Sequence, residues 1–201
     1  LTAEKFTIYE DGSKVSEFES KQTILNPTVA ASHYTLLLID MSGSIVESDK
    51  VGDVVTASSR FTERVEKFQK VGVAAFDGSA ELYPIVPFTE SGNAAQGGVE
   101  RLKTFKPRDP STNLHGAVIK GLEVLRKSWA ADPKPLKFGT LVVFTDGTDR
   151  ANRVSRDEMR KALNSDENKG FDIYAIGVGG ELKNSGLDEI GRSGTVLEGD
   201  P

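Results

Sequence analysis

Tyr34-Thr35-Leu36-Leu37-Leu38-Ile39-Asp40-Met41-Ser42-Gly43-Ser44 passes from an almost unbroken apolar hexapeptide into a cluster of oxygen-bearing side chains. A short apolar run without alternation is what a strand buried on both faces requires, and such strands belong to parallel sheets covered by helices. The same kind of run recurs further along, at Val71–Phe76, Thr140–Phe144 and Phe171–Val178. Between these runs the spacing changes to three and four. Val51, Val54, Val55, Ser58, Phe61, Val65 and Phe68 mark one helix, and Leu114, Val118, Gly121, Leu122, Leu125 and Trp129 mark the strongest one.

Shorter elements complete the pattern. Helical pieces are expected near Gly98–Phe105, over Ser155–Leu163 and near Leu187–Ile190, with a small last strand at Thr195–Leu197. Asp77-Gly78 reads as a tight turn into an antiparallel neighbour over Ala80–Val86. Strands that alternate with helices imply βαβ units and right-handed crossovers. The fold class is therefore α/β: a doubly wound, Rossmann-like, mostly parallel sheet with helices on both faces.

A small β-hairpin precedes it. Phe6–Glu10 and Val15–Phe18 alternate around Asp11-Gly12, a strong turn signal. Lys21–Ser32 carries an Asn-Pro pair and small residues and reads as a linker. The division expected is an N-terminal extension over 1–32 and one α/β domain over 33–201.

The 201 residues suit such a domain, since 37% hydrophobic and 27% charged residues is an ordinary globular balance. A net charge of −5 points away from nucleic acid and anionic membrane as partners. With no cysteine there is neither a disulfide framework nor a thiolate metal site. The apolar run at Tyr34–Ile39 is too short to span a bilayer, so no membrane insertion is expected. The start at Leu1 reads as part of a larger, exported chain, extracellular, cell-surface or periplasmic, with a cytoplasmic setting as the alternative.

In an open parallel sheet, ligands bind beyond the carboxyl ends of the strands, where strand order reverses. Asp40, Ser42 and Ser44 follow the first long strand, Asp146 follows the third, and Thr112 precedes the strongest helix. Each has an ordinary reading alone. Asp40 suits an Asx turn, Ser42, Ser44 and Thr112 suit helix caps, and Asp146-Gly147 suits a turn. Together they are three hydroxyls and two carboxylates at one sheet edge, all hard oxygen donors. Mg²⁺ takes about six oxygens at about 2.1 Å and retains waters. A shell with few carboxylates leaves the ion positive and open to an outside anion.

Asp40-x-Ser42-x-Ser44, the distant Thr112 and the later Asp146 resemble the metal ion-dependent adhesion site of the von Willebrand factor A family, which includes the integrin inserted domains. The resemblance covers Tyr34 to Leu197, with Phe144-Thr145-Asp146-Gly147 matching as well. It implies direct ligation by Ser42 and Ser44, and ligation by Thr112 that is direct in one state and through water in another. Asp40 and Asp146 would act directly or through waters. It further implies Mg²⁺, with Mn²⁺ or Ca²⁺ as alternatives, and a protein partner whose Glu or Asp carboxylate completes the shell. A long piston-like shift of the last helix is not expected, because the stretch at Leu187–Ile190 is short.

Neighbouring residues read more plainly. His115 is expected as a satisfied histidine at the surface near the rim, Asp149 in a solvated loop or, as the alternative, as a group that supports the ligands from behind, and Gly43 where the backbone needs a conformation that larger residues resist. Catalysis is not expected. A phosphatase of the haloacid dehalogenase type needs a second Asp where Ser42 stands, and neither a phosphate-binding Gly-x-x-x-x-Gly-Lys loop nor a Gly-x-Ser-x-Gly elbow occurs. The expected function is a cation-dependent adhesion or protein-binding module. The alternatives are an intracellular assembly module partnering an ATPase complex and, last, a Mg²⁺-dependent phosphohydrolase.

Overall fold

The computed structural model describes residues 7–16, 30–48, 50–64, 69–178 and 186–196. A six-stranded sheet forms the frame. Its strands are β3 (Ala31–Asp40), β4 (Gln69–Phe76), β5 (Tyr83–Thr89), β6 (Leu136–Thr145), β7 (Asp172–Gly177) and β8 (Gly194–Val196). They lie in the order β5-β4-β3-β6-β7-β8, with β4–β5 antiparallel and the other pairs parallel. The order grows outward from β3 in one direction and then returns to its other side at β6. The reversal falls between β3 and β6, which is where the sequence placed the chemistry.

Alternate residues of the central strands feed two cores. Tyr34, Leu36 and Leu38 of β3 pack with Leu141 and Val143 of β6 against α4 (Leu114–Ala131) and α5 (Arg156–Leu163). Leu37 and Ile39 join Val142 and Phe144 on the other face, with α1 (Gly43–Val46), α2 (Lys50–Arg64) and α3 (Gly92–Glu100). Burying both faces explains the unbroken apolar run, since each fully buried Leu or Ile contributes about 1.5–3 kcal/mol. A single 3₁₀ turn follows α3 at Arg101–Thr104, and α6 is the short Leu187–Ile190. No described helix is long and apolar enough to cross a membrane.

Several boundaries move for identifiable reasons. β3 begins at Ala31 and takes in Ser32, which the sequence had assigned to the linker, because Ala31–His33 pair with Leu136–Phe138. The antiparallel neighbour runs over Tyr83–Thr89 rather than Ala80–Val86, since Asp77 ties the intervening loop down. Val65, Phe68 and Leu197 lie outside the described residues.

The hairpin is shorter than its alternation suggested. β1 (Tyr9–Glu10) pairs with β2 (Ser13–Lys14) across Asp11-Gly12, both at positive φ (50° and 81°). Two positive-φ residues make the primed turn that matches strand twist, so pairing starts directly beside it. Phe6 and Phe18 lie outside the described residues.

Candidate metal centre

Asp40 ends β3 one step past the Ile39↔Phe144 register pair, so its side chain meets Thr145 at the end of β6. The Thr145 hydroxyl donates to Asp40 Oδ2 at 2.6 Å, and the Ser42 amide donates to Asp40 Oδ1 at 2.9 Å. The second bond is the Asx turn that the sequence allowed, and it folds Ser42 back over the strand end. Ser42 is the N-cap of α1, yet its hydroxyl makes no capping bond. That hydroxyl instead lies 3.2 Å from Ser44 Oγ, which donates to Asp146 Oδ1 at 3.1 Å. A salt bridge of 3.0 Å joins Asp146 Oδ2 to Lys50 Nζ.

Asp40, Ser42, Ser44 and Asp146 thus form one continuous chain of polar contacts across the ends of β3 and β6. Asp40 and Ser42 are fully buried, and Asp146 is nearly so. Burial pushes the Asp40 carboxyl up to about 6, with the bonds from Thr145 and Ser42 opposing the rise and the neighbouring Asp146 adding to it. A buried carboxylate this far from its ordinary value marks a functional-site candidate.

Thr112 joins through its neighbours' backbone. The Gly43 amide donates to Pro110 O at 2.8 Å, which fastens the Thr112 loop to the Ser42–Ser44 turn. Thr112 O accepts from the amides of Arg150 (2.9 Å) and Ala151 (3.0 Å), which fastens the same loop to the segment after Asp146. Thr112 is buried at 3% exposure. Asn113, rather than Thr112, caps α4, its side chain accepting from the Gly116 amide at 3.3 Å.

Gly43 and Asp149 depart from expectation, and His115 does not. Gly43 sits at an ordinary negative φ, and space is what demands glycine there. An added Cβ would lie 2.9 Å from Pro110 Cβ and 3.1 Å from Pro110 O. Asp149 is not solvated: its side chain is 2% exposed, and its two oxygens accept from the His115 and Asn152 amides, each at 2.8 Å. His115 is only half-buried, with Nδ1 3.0 Å from Val154 O, and it lines a cavity of about 410 Å³ with Thr148, Asp149 and Arg156.

Asp77 is the residue that sequence reasoning passed over as a turn. Its fully buried carboxylate accepts from the Ser79 amide (2.7 Å), the Tyr83 hydroxyl (2.9 Å) and the Arg108 and Asp109 amides (2.7 and 3.2 Å). Its carbonyl takes the Asn113 amide at 3.0 Å. Asp77 therefore holds both ends of the loop that carries Thr112. A signal was present. Asp40-Met41-Ser42, Asp77-Gly78-Ser79 and Asp109-Pro110-Ser111 are three Asp-x-Ser triplets, and each closes the same Asx turn.

Among the described residues, no group of three or more His, Cys, Asp or Glu side chains gathers to hold an ion. The donors at this sheet edge are instead hydroxyls flanked by single carboxylates, a hard-oxygen set that fits Mg²⁺ or Mn²⁺ and suits softer metals poorly.

Known proteins share the family and the fold. Residues 36–198 match the family model described as von Willebrand factor type A domain. Inter-alpha-trypsin inhibitor heavy chain H1 from Mesocricetus auratus is 26% identical over 151 residues. That alignment covers 73% of this chain, which spans only 16% of the length of that relative. Among solved structures, the conserved hypothetical protein BatB from Bacteroides thetaiotaomicron superposes with a TM-score of 0.61 at 15% identity, covering 84% of this chain and 91% of that one. Manganese-loaded TRAP protein from Plasmodium vivax superposes with a TM-score of 0.63 at 14% identity, covering 81% and 63%.

Proposed function

The chain belongs to the von Willebrand factor type A domain family, and from that premise we propose that it is a divalent-cation-dependent binding module. Asp40, Ser42, Ser44, Thr112 and Asp146 would hold Mg²⁺, and a Glu or Asp of a protein partner would complete the shell. The observation that carries this reading is the unbroken polar chain from Asp40 through Ser42 and Ser44 to Asp146, spanning the point where strand order reverses.

Domains of this family are protein-interaction modules rather than catalysts, and the residues follow that division. Ser42, Ser44 and Thr112 offer neutral oxygens, while Asp40 and Asp146 supply charge. When bound, the cation supplies a positive centre that an outside carboxylate can ligate. Burial of Asp40 supports the same reading, because the fold by itself disfavours the ionised form and a cation would favour it. The manganese-loaded TRAP structure supplies a precedent for a hard divalent cation in a protein of this fold.

Calorimetric titration with Mn²⁺ or Mg²⁺ tests the assignment. Ser42→Ala should abolish binding while leaving thermal stability in EDTA within a few degrees of wild type, because its hydroxyl bonds polar groups of the site itself, Ser44 Oγ and the Asp40 carboxylate, and packs no apolar core. Undiminished binding by Ser42→Ala would refute the ligand set. Partner capture should likewise vanish in EDTA.

A further inference from the structure

The residue that the proposed cation site leaves unexplained is Lys50. Its ammonium lies 3.0 Å from Asp146 Oδ2, while Asp146 Oδ1 accepts from Ser44 Oγ at 3.1 Å. Both oxygens of this carboxylate are therefore engaged by the chain's own donors. The Asp146 side chain is 5% exposed and directly follows β6, so it has little room to move. The Lys50 side chain is 34% exposed and flexible, so it can swing into solvent.

Helix chemistry does not account for a lysine at this position. Lys50 is the first residue of α2, and a cation is the wrong charge for a helix N-terminus, where backbone N–H groups already present a positive end. What the ammonium does there is cancel one of the two carboxylate charges available to a cation.

The geometry points to Lys50 as an internal competitor for the cation: its ammonium occupies Asp146, is displaced when a divalent ion binds, and so holds the site at reduced affinity. This inference rests on the proposed reading of Asp40, Ser42, Ser44, Thr112 and Asp146 as the cation's ligands. A partner carboxylate would then meet a site whose cation is held loosely enough to exchange. Any modification that neutralises Lys50, such as acetylation, would tighten the site without touching a ligand.

The size of the effect follows from Coulomb's law. Removing a unit positive charge a few ångströms from a doubly charged ion should tighten binding by roughly tenfold in a half-solvated site. Salt should erode the gain, because the ammonium is partly exposed.

The experiment is calorimetric titration of the whole chain with Mn²⁺, comparing wild type, Lys50→Met, Lys50→Arg and Ser42→Ala at low salt and again at about 1 M salt. Thermal unfolding in EDTA runs alongside as a check on folding. Lys50→Met is expected to bind roughly tenfold tighter than wild type at low salt, with the gain shrinking at high salt. Lys50→Arg keeps the charge and should bind no tighter than wild type. In EDTA, Lys50→Met should be no more stable than wild type, which separates tighter binding from a better fold. An unchanged or weaker affinity in Lys50→Met, with Mn²⁺ binding by wild type intact and lost in Ser42→Ala, overturns the competitor role and leaves the site standing. Absence of Mn²⁺ binding in both wild type and Lys50→Met overturns the site and the competitor together.

Discussion

Asp77→Asn perturbs the assembly of the site without altering any proposed ligand. In the wild type, Oδ1 accepts one bond, from the Ser79 amide, and Oδ2 accepts three, from Tyr83 Oη and the amides of Arg108 and Asp109. An asparagine keeps a single oxygen. Turned toward the three donors, it sets its NH₂ against the Ser79 N–H, so one bond is lost and the others lose their charge. Hydrogen bonds to charged groups contribute about 1.5–3 kcal/mol and neutral ones about 0.5–1.5, which puts the cost near 2–4 kcal/mol after allowing for the charge that no longer needs burying. Burial alone would raise the Asp77 carboxyl, but the bonds from Ser79, Asp109 and Tyr83 outweigh it and hold the group below its ordinary range. A depressed folded value means the stabilisation is fully present above the unfolded pKa of about 3.9 and is lost as pH falls through the folded value. Urea unfolding should therefore show a constant gap between mutant and wild type near neutrality. The gap should narrow below about pH 4. Mn²⁺ affinity should fall as well, at temperatures where the mutant is folded, because Asp77 fixes both ends of the Thr112 loop. A mutant within about 0.5 kcal/mol of wild type, or a gap that does not narrow in acid, would refute the reasoning.

Gly43→Ala would drive a methyl to 2.9 Å from Pro110 Cβ, and the stiff proline ring cannot yield as a flexible side chain would. The Thr112 loop must then move off the Ser42–Ser44 turn, so Mn²⁺ affinity measured by calorimetry should drop about tenfold or more, alongside a stability loss of about 1–3 kcal/mol. Two adjacent glycines of α3 should respond with opposite signs in urea unfolding. Gly97→Ala has nothing within 4 Å of its new Cβ and should stabilise by about 0.5–1 kcal/mol, whereas Gly98→Ala meets Val86 Cγ2 at 1.9 Å and should destabilise by about 1–3 kcal/mol.

The parts of the molecule governed by period and burial were legible in the residues themselves. Leu36 through Ile39 face two cores at once, and only a central parallel strand does that, so four strands and the main helices fell where their apolar runs lay. Four of the five selected side chains, Asp40, Ser42, Ser44 and Asp146, were locatable because each directly follows a strand whose end is fixed by its last apolar residue. Less legible were features set by loop-to-loop distance. Glycine at 43 answers to Pro110, 67 positions away (110 − 43), and no local pattern reports that approach. Asp77 and Asp149 look like ordinary turn residues in sequence, because the amides they accept from, at Arg108 and Asp109 in a loop and at His115 in the first turn of α4, are distant along the chain. Lys50 was hidden for the same reason. Its partner Asp146 lies 96 residues on.

The charge arrangement at the sheet edge bears on what kind of binding the site can support. Both oxygens of Asp40 and both oxygens of Asp146 already have donors from the chain. An arriving cation therefore exchanges contacts instead of filling an unsatisfied cage, and its affinity is the difference between two satisfied states. A closed ring of free carboxylates would bind a cation tightly and leave it neutralised. Hydroxyls and pre-engaged carboxylates do the reverse, leaving positive charge for an outside anion. Under the proposed reading, the cation and the partner carboxylate then depend on each other. By linkage, whatever factor the bound cation adds to partner affinity, the partner adds to cation affinity. A site built this way would sit lightly loaded without its partner and fully loaded with it, with Lys50 setting the threshold between the two.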